Sequence, residues 1–208
     1  MLYETAVEPN TLGLLKKICQ LRELSSFALG GGTNIALQKG HRFSIDLDFF
    51  SVKGFETPLV YKIITSNFKN TELLFEQNQT MMFLIDNIKV DFILYPFDWM
   101  QQPLVVEGTR LIRLNDMIPM KLQALSNRFA KKDFWDIEEL LNSYTLKEMI
   151  EIFQKKFPNV DSGFIIHSLT HFEPADKEQD PISLTSKTWE EIKKNLAKTV
   201  QLYTAGFL

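Results

Sequence analysis

The stretch between residues 27 and 50 constrains the fold of this chain more than any other part of the sequence. Its first half contains three consecutive glycines, Gly30 to Gly32, which follow an apolar segment. Because glycine permits positive φ angles and close approach of a ligand, the run predicts a tight turn that leads out of a strand. We expect Thr33 to cap a short helix that begins at Asn34 and ends near Gly40.

The second half of the stretch alternates between apolar and polar residues. The apolar set is Phe43, Ile45, Leu47 and Phe49, and the polar set between them is Ser44, Asp46 and Asp48. A strand with this period of two places Asp46 and Asp48 on one face, about 7 Å apart along the backbone. Two carboxylates at that distance attract a cation, and hard oxygen ligands suit Mg²⁺ or Mn²⁺. Ser44 shares the face and could contact a phosphate or a metal-bound water.

The two halves carry more weight together than apart. Glycine triplets occur in many turns without a ligand, and an isolated pair of strand aspartates is satisfied by solvent. Here a strand, a glycine turn, a helix and a second, acidic strand form one compact unit with its polar groups at the same end. Free N–H groups at a helix N-terminus favour anions, so the unit is interpreted as a site for a nucleoside triphosphate and a divalent metal.

Composition narrows the class of protein. The 208 residues fit one domain, or one domain with a helical extension, and 17 phenylalanines predict an aromatic-rich core. Cys19 is the single cysteine and cannot form an intramolecular disulfide. The sequence contains neither an apolar run of about 18 residues nor the charge order of a signal peptide, which indicates a soluble cytoplasmic protein without a membrane partner. A net charge of −3 argues against a broadly basic surface for nucleic acid.

Hydrophobic periodicity predicts an α/β (α+β) fold with a mixed sheet, flanking helices and a helical C-terminal half. Strands are predicted over residues 72–75, 80–85, 88–95 and 110–113, with Asp86-Asn87 as a hairpin turn, and helices near Asn10, Leu59, Asn115, Lys132, Thr145, Asp161 and Ser186. Residues 173–181 are predicted to form a polar loop. We divide the chain into an α/β half, 1–113, and a helical half, 114–208, and expect the site in the cleft between them.

One further acid falls on a predicted strand. Val90, Phe92 and Leu94 share one face of the strand, which leaves Asp91 on the other. The sequence thus places a third carboxylate on a strand, in the same half of the chain as Asp46 and Asp48. In the helical half, Asp133 and Asp136 are three residues apart and so share a helix face.

These motifs resemble those of a known family. Gly31-Gly32-Thr33, Asp46-x-Asp48 and Asp91 are similar to the nucleotidyltransferase signature of the polymerase-β-like superfamily. The closer resemblance is to the AbiEii/AbiGii toxin family, and it rests on Met120-Lys121-Leu122, on Lys132-Asp133-Phe134-Trp135-Asp136 and on Gly40-His41-Arg42-Phe43-Ser44. It covers residues 27 to 142, and no motif matches after residue 145.

The resemblance implies a polymerase-β-like fold and a metal-dependent nucleotidyltransferase with a two-metal mechanism. Asp46 and Asp48 would hold the metal that is bound to the triphosphate, and Asp91 would share a second metal. The turn Gly31-Gly32-Thr33 would bind the β- and γ-phosphates. Lys121 would extend toward the phosphates, and Asp136 would act in the active site.

Four further residues are assigned to nucleotide binding on the same resemblance: Arg42, Ser44, Lys132 and Asp133. Some alternatives stay open. Arg42 could equally lie on the surface, and one helix acid could orient Lys121 or Arg128 while the other caps the helix. His41 is given no role.

The function implied by the resemblance is that of the toxin of a toxin-antitoxin pair. Such a protein would transfer a nucleotide from an NTP to an RNA acceptor, with the tRNA 3′ end as the expected target, and release pyrophosphate. Its partner would be an antitoxin encoded next door. The alternatives are a nucleotidyltransferase that modifies a small hydroxylated molecule such as an antibiotic, and a non-catalytic nucleotide-binding protein of the same fold.

Overall fold

The structure is a computed structural model that describes residues 1–206. The chain forms two compact units. The first contains Met1–Gln38 and Ser44–Arg113, and the second contains Lys39–Phe43 and the chain from Leu114 onward. Within residues 1–206, no helix is both long enough and apolar enough to span a membrane.

The first unit is built on a mixed sheet, as predicted. Within the described residues the strands are β1 (Ala28–Leu29), β2 (Leu47–Ser51), β3 (Thr71–Gln77), β4 (Thr80–Ile85), β5 (Ile88–Leu94), β6 (Leu104–Val106) and β7 (Thr109–Leu111). Their order across the sheet is β3-β4-β5-β2-β1-β7-β6. β2 is parallel to β5, β1 is parallel to β7, and the other neighbours are antiparallel. The predicted α/β fold class is therefore confirmed.

The core of this unit is rich in phenylalanine. Buried side chains of the sheet pack in one cluster with those of α1 (Pro9–Gln20) and α3 (Thr57–Asn67). Phe92 contacts Phe27 edge to face at 5.2 Å between ring centroids and stacks on Phe49 at 5.5 Å. Each fully buried ring stabilises the fold by roughly 1.5–3 kcal/mol. This core holds the central strands in fixed register.

Turn chemistry explains the hairpins on either side of β4. Asp86 and Asn87 have φ angles of 48° and 64°, which suit the two-residue turn predicted between β4 and β5. Asn78 and Gln79 adopt similar angles between β3 and β4. The turn between β4 and β5 leaves β4 in the register that buries Met81, Phe83 and Ile85 in the core.

The structure corrects the predicted start of the acidic strand. β2 begins at Leu47 rather than at Phe43. Ile45 is 56% exposed and so does not continue the apolar face of the strand. The backbone carbonyl of Asp46 accepts a hydrogen bond from the Thr33 hydroxyl instead of from a neighbouring strand. Asp46 consequently lies in the segment before the strand.

The second unit is helical. Its helices are α4 (Leu114–Arg128), α5 (Lys131–Leu140), α6 (Leu146–Lys156), α7 (Ser162–Ser168), α8 (Glu173–Asp176) and α9 (Trp189–Thr204). Thr145 and Glu148 form the predicted capping box of α6. The last helix begins after Thr188 rather than at Ser186, because Ser186 has a φ of 58° that is incompatible with a helix. The predicted polar loop 173–181 contains the short helix α8.

Candidate active site

The glycine turn joins β1 to a helix that begins earlier than predicted. α2 spans Gly31–Lys39, and Gly31 enters it with a φ of 62°. Thr33 therefore lies in the first helical turn and does not cap a helix beginning at Asn34. The first N–H groups of such a helix have no acceptor in a preceding turn, which makes this end suited to an anion.

Packing explains why Gly30 has no side chain. Its N–H donates to the carbonyl of Asp48 at 2.7 Å, which draws the turn against β2. A Cβ at this position would lie 2.6 Å from the Phe50 ring and 2.9 Å from the Ile112 side chain. Only glycine fits at this approach of turn and sheet.

Gly31 lies directly against the carboxylate of Asp48. A Cβ built on Gly31 would overlap Oδ2 of Asp48 and lie 2.9 Å from its Cγ. The carboxylate thus occupies the space that any other residue would fill with its side chain. The turn and the acid predicted to share a site are in contact.

Replacing Gly31 with alanine is expected to reduce nucleotide transfer by about a hundredfold or more, since the new methyl group displaces the Asp48 carboxylate. The positive φ adds a stability cost of about 1 kcal/mol. Gly13→Ala is the matched control, because a Cβ at Gly13 meets nothing within 4 Å. Transfer of labelled nucleotide and thermal unfolding measure both effects. Equal activity in the two variants would contradict this role of the turn.

Thr33 and Ser44 connect α2 to the segment that carries Asp46. The Thr33 hydroxyl donates to the carbonyl of Asp46 and lies 2.7 Å from the Ser44 hydroxyl, which must therefore donate to it. Thr33 is 1% exposed. Its hydroxyl is used to position the acidic segment, and its predicted contact with phosphate stays a prediction.

Asn34 is a structural residue that the sequence pattern did not single out. Its side-chain amide donates to the carbonyls of Leu29 at 2.6 Å and Ile112 at 2.9 Å. These bonds fasten α2 to the end of β1 and to the residue after β7. A polar side chain within the first helical turn after a glycine run was the available signal.

Asp48 and Asp91 are direct neighbours across two parallel strands. They are paired in the register of β2 and β5. Their side chains project from the same face because the strands share one pleat. Asp46 precedes β2 on the same chain segment, so the structure gathers the three predicted strand acids in the first unit.

Asp91 is buried, and its two carboxylate oxygens differ. Oδ2 accepts a hydrogen bond from Lys89 Nζ at 2.8 Å, whereas Oδ1 has no hydrogen-bond partner among the described residues. Burial raises the pKa of Asp91, the Lys89 ammonium opposes that rise, and the charge of Asp46 adds to it. A buried carboxylate oxygen without a partner is costly, so Oδ1 of Asp91 is a candidate ligand for a cation.

Lys89 was missed by the sequence reasoning. Burial lowers the pKa of its ammonium, but the hydrogen bond to Asp91 and the charges of Asp91, Asp48 and Asp46 raise that pKa above its ordinary value. The Lys89 ammonium therefore interacts electrostatically with all three acids. The alternation Lys89-x-Asp91 on a strand was the signal that could have revealed it.

The donor set of this cluster fits a hard divalent cation. It offers three carboxylates, one with a buried oxygen that lacks a hydrogen-bond partner, beside a helix N-terminus. Across residues 1–206, however, no three His, Cys, Asp or Glu side chains stand in an arrangement that could hold a metal ion. Binding would thus require the carboxylates to reorient.

The remaining predicted site residues lie in the second unit, and Arg42, Lys121 and Asp133 belong to one ion network with Asp136. Its carboxylate accepts bonds from Arg42 Nε at 2.7 Å and Nη2 at 2.9 Å, and from His41 Nε2 at 2.7 Å. Lys121 Nζ lies 2.7 Å from Oδ2 of Asp136. Burial raises the pKa of Asp136, but the charges of Arg42 and Lys121 outweigh it and hold that pKa well below its ordinary value.

Asp133 extends this buried ion cluster. It binds Lys121 at 3.0 Å and Arg128 through two nitrogens at 2.7 and 2.8 Å. Burial raises the pKa of Asp133, and the Lys121 charge and the Arg128 hydrogen bond lower it below its ordinary value. Neither acid caps α5, whose N-cap is Ala130. Asp133 binds both Lys121 and Arg128, so one half of the stated alternative agrees with the structure, whereas a helix cap by the other acid does not occur.

The structure also shows how far each predicted basic residue is buried. Arg42 is 3% exposed and so is not a surface residue. Lys121 is equally buried and lies between two carboxylates, whereas Lys132 is exposed on α5. Contact of these side chains with a nucleotide stays a prediction. We name the five residues His41, Arg42, Lys121, Asp133 and Asp136 the buried ion cluster.

The buried ion cluster predicts a defined dependence of stability on pH. The pKa values of Asp133 and Asp136 are lowered on folding. Their ionised carboxylates therefore stabilise the fold fully above the pKa of the unfolded chain, about 3.9. This stabilisation is lost as the pH falls through the lower pKa values of the folded protein. The difference in unfolding free energy between wild type and Asp136→Asn should stay constant from about pH 7 to pH 5 and shrink below about pH 4. A difference that shrinks near neutral pH would contradict the assignment.

Comparison with known proteins finds one sequence relative and several solved structures of similar fold. An uncharacterized protein of Aquifex aeolicus is 30% identical over 200 residues, which cover 91% of this chain and 93% of the relative. A candidate nucleotidyltransferase from H. pylori shares the fold with a TM-score of 0.60 at 16% identity, covering 96% of this chain and 97% of that one. MenT4, a nucleotidyltransferase toxin from Mycobacterium tuberculosis, has a TM-score of 0.56 at 14% identity, covering 90% and 80%.

The family model is matched over residues 14–205, which include the glycine turn, the three strand acids and the buried ion cluster. It describes the nucleotidyl transferase AbiEii toxin of type IV toxin-antitoxin systems. The match extends well past residue 142, where the recognisable motifs end. The chain belongs to the AbiEii nucleotidyltransferase toxin family.

Proposed function

We propose that this protein is a toxin that transfers a nucleotide from an NTP to an RNA acceptor, the 3′ end of tRNA, and releases pyrophosphate. It would act in the cytoplasm, where both substrates occur, with an antitoxin encoded beside it. The observation that carries the proposal is the contact of Gly31 with Asp48, which is paired in register with Asp91. That contact would place the turn that binds the triphosphate next to the carboxylates that bind the metal ions.

Asp46, Asp48 and Asp91 would hold the divalent cations, Mg²⁺ or Mn²⁺. When bound, such ions neutralise charge on the triphosphate and make the acceptor hydroxyl more acidic. The protein's own contribution is to pair Asp48 and Asp91 across two parallel strands, with Asp46 in the segment that leads into β2. The Oδ1 atom of Asp91 supports this assignment, because it is a buried acceptor for which residues 1–206 supply no donor.

The glycine turn would bind the β- and γ-phosphates through backbone N–H groups. Residues without side chains let those oxygens approach the helix N-terminus, and the helix dipole favours their charge. Thr33 and Ser44 would act by holding the turn and the acidic segment together rather than by a separate contact. Orienting the triphosphate in this way is the main catalytic task in phosphoryl chemistry.

The buried ion cluster would support the reaction by positioning. Its carboxylates already bind Arg42, Lys121 and Arg128, so each basic side chain is held in one place. Buried and paired charges of this kind have fixed geometry, which a substrate-binding region requires.

The acceptor can be identified by incubating the protein with each labelled NTP, total tRNA and a panel of hydroxylated small molecules, with and without Mg²⁺. We expect label to migrate with tRNA, to depend on the metal, and to be removed by nuclease that trims the 3′ end. Label that migrates with a small molecule alone would reject the RNA acceptor. Binding of NTP without any transfer would favour the non-catalytic alternative.

A further inference from the structure

A lysine side chain lies within the acidic cluster of the first unit. Lys89 precedes Asp91 by two residues on β5, so both project from the same face of the strand. Its Nζ atom is 2.8 Å from Oδ2 of Asp91. The ammonium therefore contacts a carboxylate that the proposed function assigns to a metal.

The cluster needs this positive charge when no metal is bound. Asp48 and Asp91 are opposite each other in register, and like charges in such a pair repel. Asp46 adds a further carboxylate within electrostatic range of Asp91. Lys89 brings a positive charge that acts on all three acids.

The contact between Lys89 and Asp91 can be broken by a movement of the lysine side chain alone. The Lys89 side chain is 38% exposed, whereas that of Asp91 is 9% exposed. A long, flexible side chain with its head at the surface can move into water at little cost. The Asp91 carboxylate, held on a central strand, would stay in place with both oxygens available.

We propose that the Lys89 ammonium is the counter-ion of Asp91 in the metal-free protein and leaves it when a divalent cation binds. The inference rests on the metal site of the proposed function. A divalent cation carries more charge than an ammonium and coordinates several oxygens, so it compensates the cluster better. An ammonium and a divalent ion on the same carboxylate repel each other, which makes their binding competitive.

Titration with Mn²⁺, followed by electron paramagnetic resonance of the free ion, tests the competition without any enzymatic activity. We expect Lys89→Gln to bind Mn²⁺ at least about fivefold more tightly than wild type, because the competing cation is gone. Lys89→Arg keeps the charge and should bind like wild type. Lys62→Gln, at an exposed lysine on α3, is the matched control and should leave the affinity unchanged.

A second readout covers the stability of the variants. Lys89→Gln should melt at a lower temperature than wild type without metal, and Mg²⁺ should raise its melting temperature by more. Mn²⁺ affinity in Lys89→Gln equal to or weaker than wild type would overturn the exchange but leave the metal site standing. Absence of Mn²⁺ binding in both proteins, or unchanged binding in Asp48→Asn, would instead overturn the metal site itself.

Discussion

Replacing Asp48 with asparagine is expected to lower nucleotide transfer by at least about a thousandfold. The change removes one negative charge where the glycine turn, β2 and β5 meet, yet keeps the shape of the side chain next to Gly31. Incorporation of labelled nucleotide into acceptor, measured at saturating NTP, gives the effect. If the protein is a toxin, growth arrest on expression should disappear with it.

The control for this substitution makes the same chemical change elsewhere in the unit. Asp86→Asn alters an exposed turn residue with a φ of 48°, a conformation that asparagine tolerates well. It should retain wild-type activity. Asp48→Asn should unfold at nearly the same temperature as wild type, since the residue is only partly buried. Full activity in Asp48→Asn would remove the basis of the metal assignment.

Replacing Asp136 with alanine is expected to cost about 3–5 kcal/mol of unfolding free energy, the usual effect of removing one partner from a buried ion pair. Arg42 and Lys121 would keep their charges in a buried environment, and Arg42 would lose both bonds of its guanidinium group to the carboxylate. Denaturation with guanidinium chloride, followed by circular dichroism, measures the loss.

Two further variants show whether charge or packing is responsible. Asp136→Asn keeps the shape but not the charge and should also be strongly destabilised. Glu151→Gln makes the same conversion at an exposed position on α6 and should change stability by less than about 0.5 kcal/mol. If Asp136→Ala and Glu151→Gln were equally stable, the buried ion cluster would have no structural importance.

Short sequence patterns predicted the secondary structure well where a few neighbouring residues determine it. The alternation of Val90 and Phe92 with Asp91 was sufficient to identify β5, because successive side chains of a strand point to opposite faces, here an apolar core face and the face that carries the acids. Asp86-Asn87 and the capping box at Thr145 were equally readable, since each depends on a few neighbouring residues. The existence of these elements followed from the sequence without knowledge of their partners.

Boundaries and roles failed where a contact distant in sequence competes with the local pattern. Apolar alternation at Ile45 suggested a longer strand, but the Thr33 hydroxyl takes the backbone carbonyl of Asp46 and ends it. Similarly, the spacing of Asp133 and Asp136 showed that they share a helix face. It did not show that Arg42, 94 residues away, would bind one of them.

The second unit is formed by two separate segments of the chain, which limits where the protein can be cut into fragments. His41 and Arg42 come from the middle of the first half of the chain, yet they bind a helix that is encoded after residue 130. A fragment that starts at Leu114 would carry Asp136 without these two donors. Recombination or truncation at residue 113 would therefore produce a helical piece in which Asp136 keeps Lys121 but loses its bonds to His41 and Arg42. The two segments are thus expected to be inherited and exchanged only together.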